Sequence, residues 1–417
     1  MAELRADVVV LGAGMVGVGA ALHLQKRGRD VVLVDRHDAA GEETSYGNTG
    51  IIECASVFPY MFPRDFSELL RYALNRAPQV RYRVADLPIF LPWLARYYFA
   101  SSPERALHSA LAEMPLIRQS LIEHEALIAE AGVPELLRKT GWLKLYRSKA
   151  TFAKAVRDTE RAKQYGVSNQ VLDAQGIAAR EPNLSGDFAG AVYSPTPGSV
   201  ADPGGLAKAY AALFGRRGGR FFVGDARTLE QSGGRWRVAI SEGTVTAREV
   251  VVAMGPWSDQ VFGPLGYSIP LQVKRGYHLH LKPGGNAMLN HPVLDSDLGY
   301  CLAPMNRGIR LTTGVEFAHR DAPASPVQVE RAVSRARNLF PLGDPVEAEP
   351  WKGARPCLPD MLPVIGKAPR HPGLWFDFGH QHHGLTLGPV SGRLLAEMMS
   401  GETPFADAKP FAVERFG

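Results

Sequence analysis

The chain has 417 residues, 45% of them hydrophobic and 21% charged, with a formal net charge of +5. This length exceeds one ordinary core, so two domains sharing one ligand are expected, and the composition excludes a disordered or low-complexity protein. The 47 Lys and Arg residues form no dense run, which argues against nucleic acid as a partner, while the mild positive charge suits an acidic small molecule or an anionic membrane surface.

In chain order, Asp7 to Leu11 is an apolar, β-branched run suited to a buried parallel strand, and it ends in Gly12-Ala-Gly14-Met15-Val16-Gly17. A helical pattern follows at once. Gly12 permits the tight turn, Gly14 lets backbone approach a pyrophosphate, and Gly17 lets the helix pack on the strand, leaving unpaired N–H groups of the helix start facing the phosphates. Val31 to Val34 reads as the second strand. Asp35 at its end, followed by Arg36, stands where a ribose hydroxyl is recognised, and its charge opposes a 2′-phosphate, so NADP is not expected. These residues predict a dinucleotide fold but do not separate FAD from NAD.

Further along, Glu43 to Gly50 is a small, polar, glycine-bearing loop where a flat ring could lie against backbone. Val223 sits on the apolar strand Phe221-Phe-Val-Gly-Asp-Ala226, and Glu249 to Ala253 reads as a buried strand leading to Gly255-Pro-Trp257-Ser258. Leu385 to Met399 has helical periodicity, so Gly384, Leu385 and Thr386 lie at a helix N-terminus with free N–H groups and partial positive charge. That end could stabilise an anionic reduced ring.

Four of these stretches, in order from one end of the chain to the other, resemble the D-amino-acid dehydrogenases and their glycine and sarcosine oxidase relatives. They are the ring loop Glu43 to Gly50, the Ala253-x-Gly255-x-Trp257-Ser258 segment, the box Gly353-x-Arg355-Pro-x-x-Pro359-Asp360-x-x-Pro363-x-x-Gly366, and Phe378 to Pro389. The resemblance implies an α/β flavoprotein with a Rossmann-like FAD domain and an interleaved α+β substrate domain on a mostly antiparallel sheet. It implies FAD contacts at Gly12, Gly14, Met15, Val16, Gly17, Asp35, Arg36, Ser45, Asn48, Thr49, Gly50, Val223, Ala253, Gly255, Trp257, Gly384, Leu385 and Thr386. The expected division is 1–57, 200–264 and 345–417 for FAD and 58–199 and 265–344 for substrate, the latter with strands at Trp142 to Tyr146, Ala189 to Tyr193, Tyr277 to Leu281 and Ile309 to Gly314.

On the substrate side, oxidation of an amino acid at flavin needs its α C–H held in place, and a planar Arg fork is a natural carboxylate clamp. By resemblance that residue is Arg355. Tyr300 and Tyr277 are the candidate hydroxyls over the substrate, and His380 and His383 could bind substrate or act as base. No metal is expected, because the histidine loop supplies no acidic or thiolate partner of its own. Where sarcosine-oxidase relatives carry an oxygen-activating lysine this chain has Arg310, which points to a dehydrogenase passing electrons to a quinone or another acceptor. Cys357 lies inside the box rather than before it, so FAD is expected to be non-covalent. Cys54, Cys301 and Cys357 are isolated and form no disulfide framework, which fits a reducing compartment. The N-terminal residues run directly into a strand, so a cytoplasmic protein is expected. The aromatic run Leu87 to Ala100 reads as a helix packed on the sheet or, less simply, a peripheral membrane contact. The expected activity is oxidation of a D-amino acid, with D-proline and hydroxy-D-proline among the substrate types considered. The alternatives are a sarcosine- or glycine-type amine oxidase using O2 and a non-catalytic FAD subunit, alone or in an oligomer.

Overall fold

A computed structural model describes residues 2–56 and 58–417; Met1 and Val57, the two ends of the first expected cofactor segment, lie outside the described residues. The strand Ala2–Leu11 forms the middle of a seven-stranded sheet, flanked in parallel by Val31–Asp35 and Gly243–Val252. Arg220–Ser232 continues the sheet beyond Val31–Asp35, and Leu374–Phe378 continues it beyond Gly243–Val252, both in parallel. Parallel strands covered on both faces need no polar alternation, which is why Val8 to Leu11 and Val31 to Val34 are apolar throughout and buried. Helix Met15–Gln25 packs across Gly384–Met399, and a Cβ at Gly19 would lie 2.7 Å from the Gly388 carbonyl oxygen. The small residues of the first helix therefore allow two helices to meet at backbone distance beside the sheet.

The second sheet has eleven strands, joined mostly antiparallel, and contains all four of the expected substrate-side strands as Trp142–Tyr146, Gly190–Ser194, Gln272–Pro283 and Gly308–Thr313. One face packs on helix Val327–Ala336 through Leu302 and Leu311. The other faces a cavity shared with the first sheet. Trp351–Cys357, on the far side of the expected boundary at 345, pairs antiparallel with Gln272–Pro283 in this second sheet. The chain recrosses to the first sheet only between Cys357 and Val364, so Arg355 belongs to the substrate side.

Leu87–Ala100 is a helix whose Phe90, Trp93 and Tyr97 turn inward onto Phe317, as expected for a packed segment. Its other face leaves Ile89, Leu91 and Phe99 exposed. Among the described residues no helix is long and apolar enough to cross a membrane.

Candidate active site

A cavity of about 1270 Å³ lies between the two sheets and runs from the Gly12 turn to the face of Gln272–Pro283. At its nucleotide end Gly12 has φ +104, and a Cβ there would lie 2.5 Å from the Ala253 carbonyl oxygen. Only glycine fits that turn. Gly14 is different: its backbone is ordinary, and a Cβ would meet only Ser45 Oγ at 3.3 Å, so the space in front of it is cavity. Asp35 accepts from the Ala13 N–H at 2.6 Å and from the His37 N–H at 2.9 Å, which fixes its carboxylate at the sheet edge beside Val223. Arg36 stacks on Trp257 with its guanidinium carbon 3.9 Å from the ring centre. An open phosphate cradle at a helix start, an acid at the ribose position and a long slot past them suit FAD.

Of the FAD contacts expected from the sequence, Gly12, Gly14, Met15, Val16, Asp35, Arg36, Ser45, Asn48, Thr49, Val223, Ala253, Gly255, Trp257, Gly384 and Leu385 line the cavity. Gly17, Gly50 and Thr386 lie behind the wall. A Cβ on Gly17 would strike the Gly12 carbonyl oxygen at 1.8 Å, and one on Gly50 the Val200 carbonyl oxygen at 2.3 Å. The Thr386 hydroxyl donates to the Ile51 carbonyl oxygen and accepts from the Glu53 N–H, pinning the segment after the ring loop.

Arg310 does not line the cavity; one guanidinium nitrogen donates to the carbonyl oxygens of Tyr46, at 2.8 Å, and Asn48. Its Nε donates to His280 Nε2 at 3.0 Å, and His280 Nδ1 meets Glu347 at 2.6 Å. Burial lowers the Arg310 pKa to about 10, the nearby Tyr46, Asp202 and Glu347 opposing the shift. Arg310 thus anchors the ring loop of the first half to the sheet of the second.

On the substrate side Arg355 lies across Gly276, where a Cβ would stand 2.7 Å from its guanidinium. Its one protein hydrogen-bond partner among the described residues is the Gly314 carbonyl oxygen at 3.2 Å, and it makes no ion pair with them. Burial pushes its pKa down, consistent with a cation short of counter-charge.

Both expected tyrosine hydroxyls meet carboxylates of the protein. Side chains alternate along a strand, and Tyr300 points with Leu302 into the core under helix Val327–Ala336, its hydroxyl near Asp295, while Cys301 points with Trp142 and Ile51 to the cavity side. Tyr277 likewise faces that helix through Val329 and gives its hydroxyl to Glu316 at 2.6 Å while accepting from Arg275. Both residues nonetheless border the cavity. The residues of opposite parity, Cys301 and Lys274, are cavity-facing and were not singled out by sequence.

The histidine loop also departs from expectation. Gln381 has φ +57, and beyond this twist His382 lines the cavity while His383 turns away toward Glu113, with Nδ1 3.5 Å from the carboxylate. His382 packs against Tyr60, and burial followed by the charges of His383, Arg355, Lys274 and Lys144 holds its pKa well below the ordinary value. An acidic partner for this loop does exist: Glu53 brings a carboxylate oxygen within 4.8 Å of a nitrogen on each of His382 and His383. The surrounding lysines and arginine oppose a divalent cation at that point. His380 borders the cavity and pairs with buried Asp377 at 3.4 Å.

Fold and cavity together define a two-sheet flavoenzyme with a cationic substrate end. Residues 7–398 match the family model described as FAD dependent oxidoreductase, and the chain belongs to this DAO family. Curated relatives include a D-amino-acid oxidase of Bradyrhizobium diazoefficiens, 31% identical over 98% of both chains, and a D-amino acid dehydrogenase of Xylella fastidiosa, 32% identical over 94% of this chain and 91% of that one. Among solved structures, glycine oxidase of Geobacillus kaustophilus superposes with a TM-score of 0.75 at 23% identity, covering 98% of each chain. L-Proline dehydrogenase of P. horikoshii gives 0.75 at 17% identity over 100% of this chain and 98% of that one. The protein is an FAD-dependent oxidoreductase, and the two curated relatives above are named for amino-acid oxidation.

Proposed function

We propose that the protein is a D-amino-acid dehydrogenase that binds the substrate carboxylate on Arg355. The observation that carries this is the half-buried guanidinium of Arg355, free of any acidic partner among the described residues and open to the cavity. A bidentate carboxylate would supply the missing charge and fix the α carbon in orientation. His382, held neutral, can accept a hydrogen bond from the substrate amine. Bound FAD would take a hydride from the α carbon. The D configuration rests on the names of the curated relatives, and proline-type rings remain among the substrates to compare.

Transfer to a quinone rather than O2 is supported by Arg310, whose charge is spent on backbone carbonyls instead of facing the cavity. A membrane-borne quinone fits the exposed Phe66, Leu70, Leu74, Leu91 and Phe99, which lie among Arg64, Arg71 and Arg96 on two neighbouring helical segments. The decisive test is anaerobic bleaching of the visible flavin band by D- and L-amino acids, sarcosine and glycine, followed by reoxidation with O2 or a soluble quinone. D-amino acids should bleach the band, and the quinone should reoxidise it at least tenfold faster than air. Bleaching by sarcosine or glycine alone, with rapid reoxidation by O2, would establish an amine oxidase instead.

Cys357 is buried, and burial raises its thiol pKa while Lys274 and Arg355 partly offset this. Non-covalent flavin is proposed, so acid precipitation should give colourless protein and yellow supernatant. Colour retained in the pellet would establish a covalent bond.

A further inference from the structure

We propose that Lys274 forms a second anion subsite beside Arg355, and that the preferred substrate is an amino acid with a side-chain carboxylate. The inference rests on the reading of Arg355 as the α-carboxylate clamp and goes beyond it by naming the substrate class.

Lys274 and Arg355 are directly opposite one another on the antiparallel strands Gln272–Pro283 and Trp351–Cys357. Directly opposed residues project from the same face, and like charges in that relation destabilise a sheet. Both line the cavity. The Lys274 side chain is buried, and among the described residues it has no carboxylate within ion-pair distance. Its ammonium lies 4.0 Å from the ring centre of Tyr97 and 5.3 Å from that of Trp93, with Met361 Sδ at 3.9 Å as its one hydrogen-bond partner. Aromatic faces favour a cation without accepting its three N–H bonds in full. Burial lowers the Lys274 pKa, Cys357 opposes the shift and Arg355 adds to it, as expected for an ammonium awaiting an anion. Lys144, by contrast, has Glu53 as a nearby negative charge.

None of the groups around the Lys274 ammonium belongs to the glycine turn, the ring loop or the start of helix Gly384–Met399. The Arg355 fork lies over Gly276, two residues along the strand from Lys274, a separation of about 7 Å. The two carboxylates of a four- or five-carbon amino diacid, each hydrogen-bonded to one cation, can span it. Tyr97, which also lines the cavity, would cover the methylene chain between them.

The test compares the holoenzyme with Lys274→Met and Lys274→Arg in anaerobic flavin reduction by D-glutamate, D-aspartate, D-glutamine and D-asparagine. The wild type should reduce with an acid at least thirtyfold more efficiently than with its matching amide. Lys274→Met should bring that ratio close to one, and Lys274→Arg should restore much of it. Equal use of acid and amide by the wild type, a preference that survives Lys274→Met, or an equal loss on both substrates would overturn the proposal. Reduction by neutral D-amino acids in any of those cases would leave the dehydrogenase reading standing, whereas no reduction by any D-amino acid would mean that reading itself fails.

Discussion

Arg355→Ala should lower the second-order rate of flavin reduction by amino acids about a thousandfold while FAD content stays that of the wild type. Removing one partner of a buried, hydrogen-bonded charge pair costs about 2–5 kcal/mol, and each 1.4 kcal/mol is tenfold. Arg355 sits in the second sheet, remote from the glycine turn, and its own protein contact is a single carbonyl, so cofactor retention does not depend on it. Arg355→Lys should recover only part of the loss, since an ammonium keeps the charge but lacks the planar fork. Stopped-flow reduction over a range of substrate concentrations gives the check. A variant reduced at the wild-type rate would place the carboxylate elsewhere in the cavity.

Gly14→Ala should leave the apoprotein folded and yet weaken FAD binding ten- to hundredfold. The residue caps helix Met15–Gln25 with φ −71, a conformation open to any residue, and a Cβ there meets nothing of the protein closer than Ser45 Oγ at 3.3 Å. The reason for glycine must therefore lie in what occupies the cavity. A methyl group forced against a bound pyrophosphate costs about 1–3 kcal/mol, as overpacking does elsewhere. Thermal unfolding of the flavin-free protein should move little, or rise slightly because alanine narrows the unfolded ensemble. Gly17→Ala is the contrasting case, because its Cβ would strike the Gly12 carbonyl and should reduce the yield of folded protein outright. Titration of each apoprotein with FAD, followed by flavin fluorescence, separates the two. Equal FAD affinity in Gly14→Ala and wild type would mean that the cradle is not where the phosphates lie.

The nucleotide end was legible because its signals are local. A strand, a glycine turn, a helix and a second strand follow one another within Asp7 to Asp35, and each step is fixed by neighbours in sequence. The substrate end was legible only as a set of strands. Gln272–Pro283 is buried on both faces through most of its length, so hydrophobicity does not alternate and does not tell which parity meets the cavity. Tyr277 and Tyr300 carry hydroxyls on the right strands, but a one-residue step reverses the face. Lys274 and Cys301 hold the cavity side instead. The histidine loop is illegible for a similar reason: the positive φ at Gln381 puts His382 on the cavity side and turns His383 away, and a glutamine gives no signal of it. Glu53 and Glu113 reach that loop from distant parts of the chain, which no spacing within the loop could reveal.

The tie between Arg310 and the loop at Tyr46 and Asn48 has a thermodynamic consequence. The loop belongs to the half that carries the nucleotide motif, and the guanidinium belongs to the half that carries the substrate clamp. Separating the halves would strand a buried cation and two carbonyls at once, so neither is favoured to open alone. Ligand that stabilises one half is then felt by both, and stability gained from FAD grows with the logarithm of its free concentration for the molecule as a whole. Cofactor supply, rather than the intrinsic stability of either sheet, would set how much of this protein persists in a folded form.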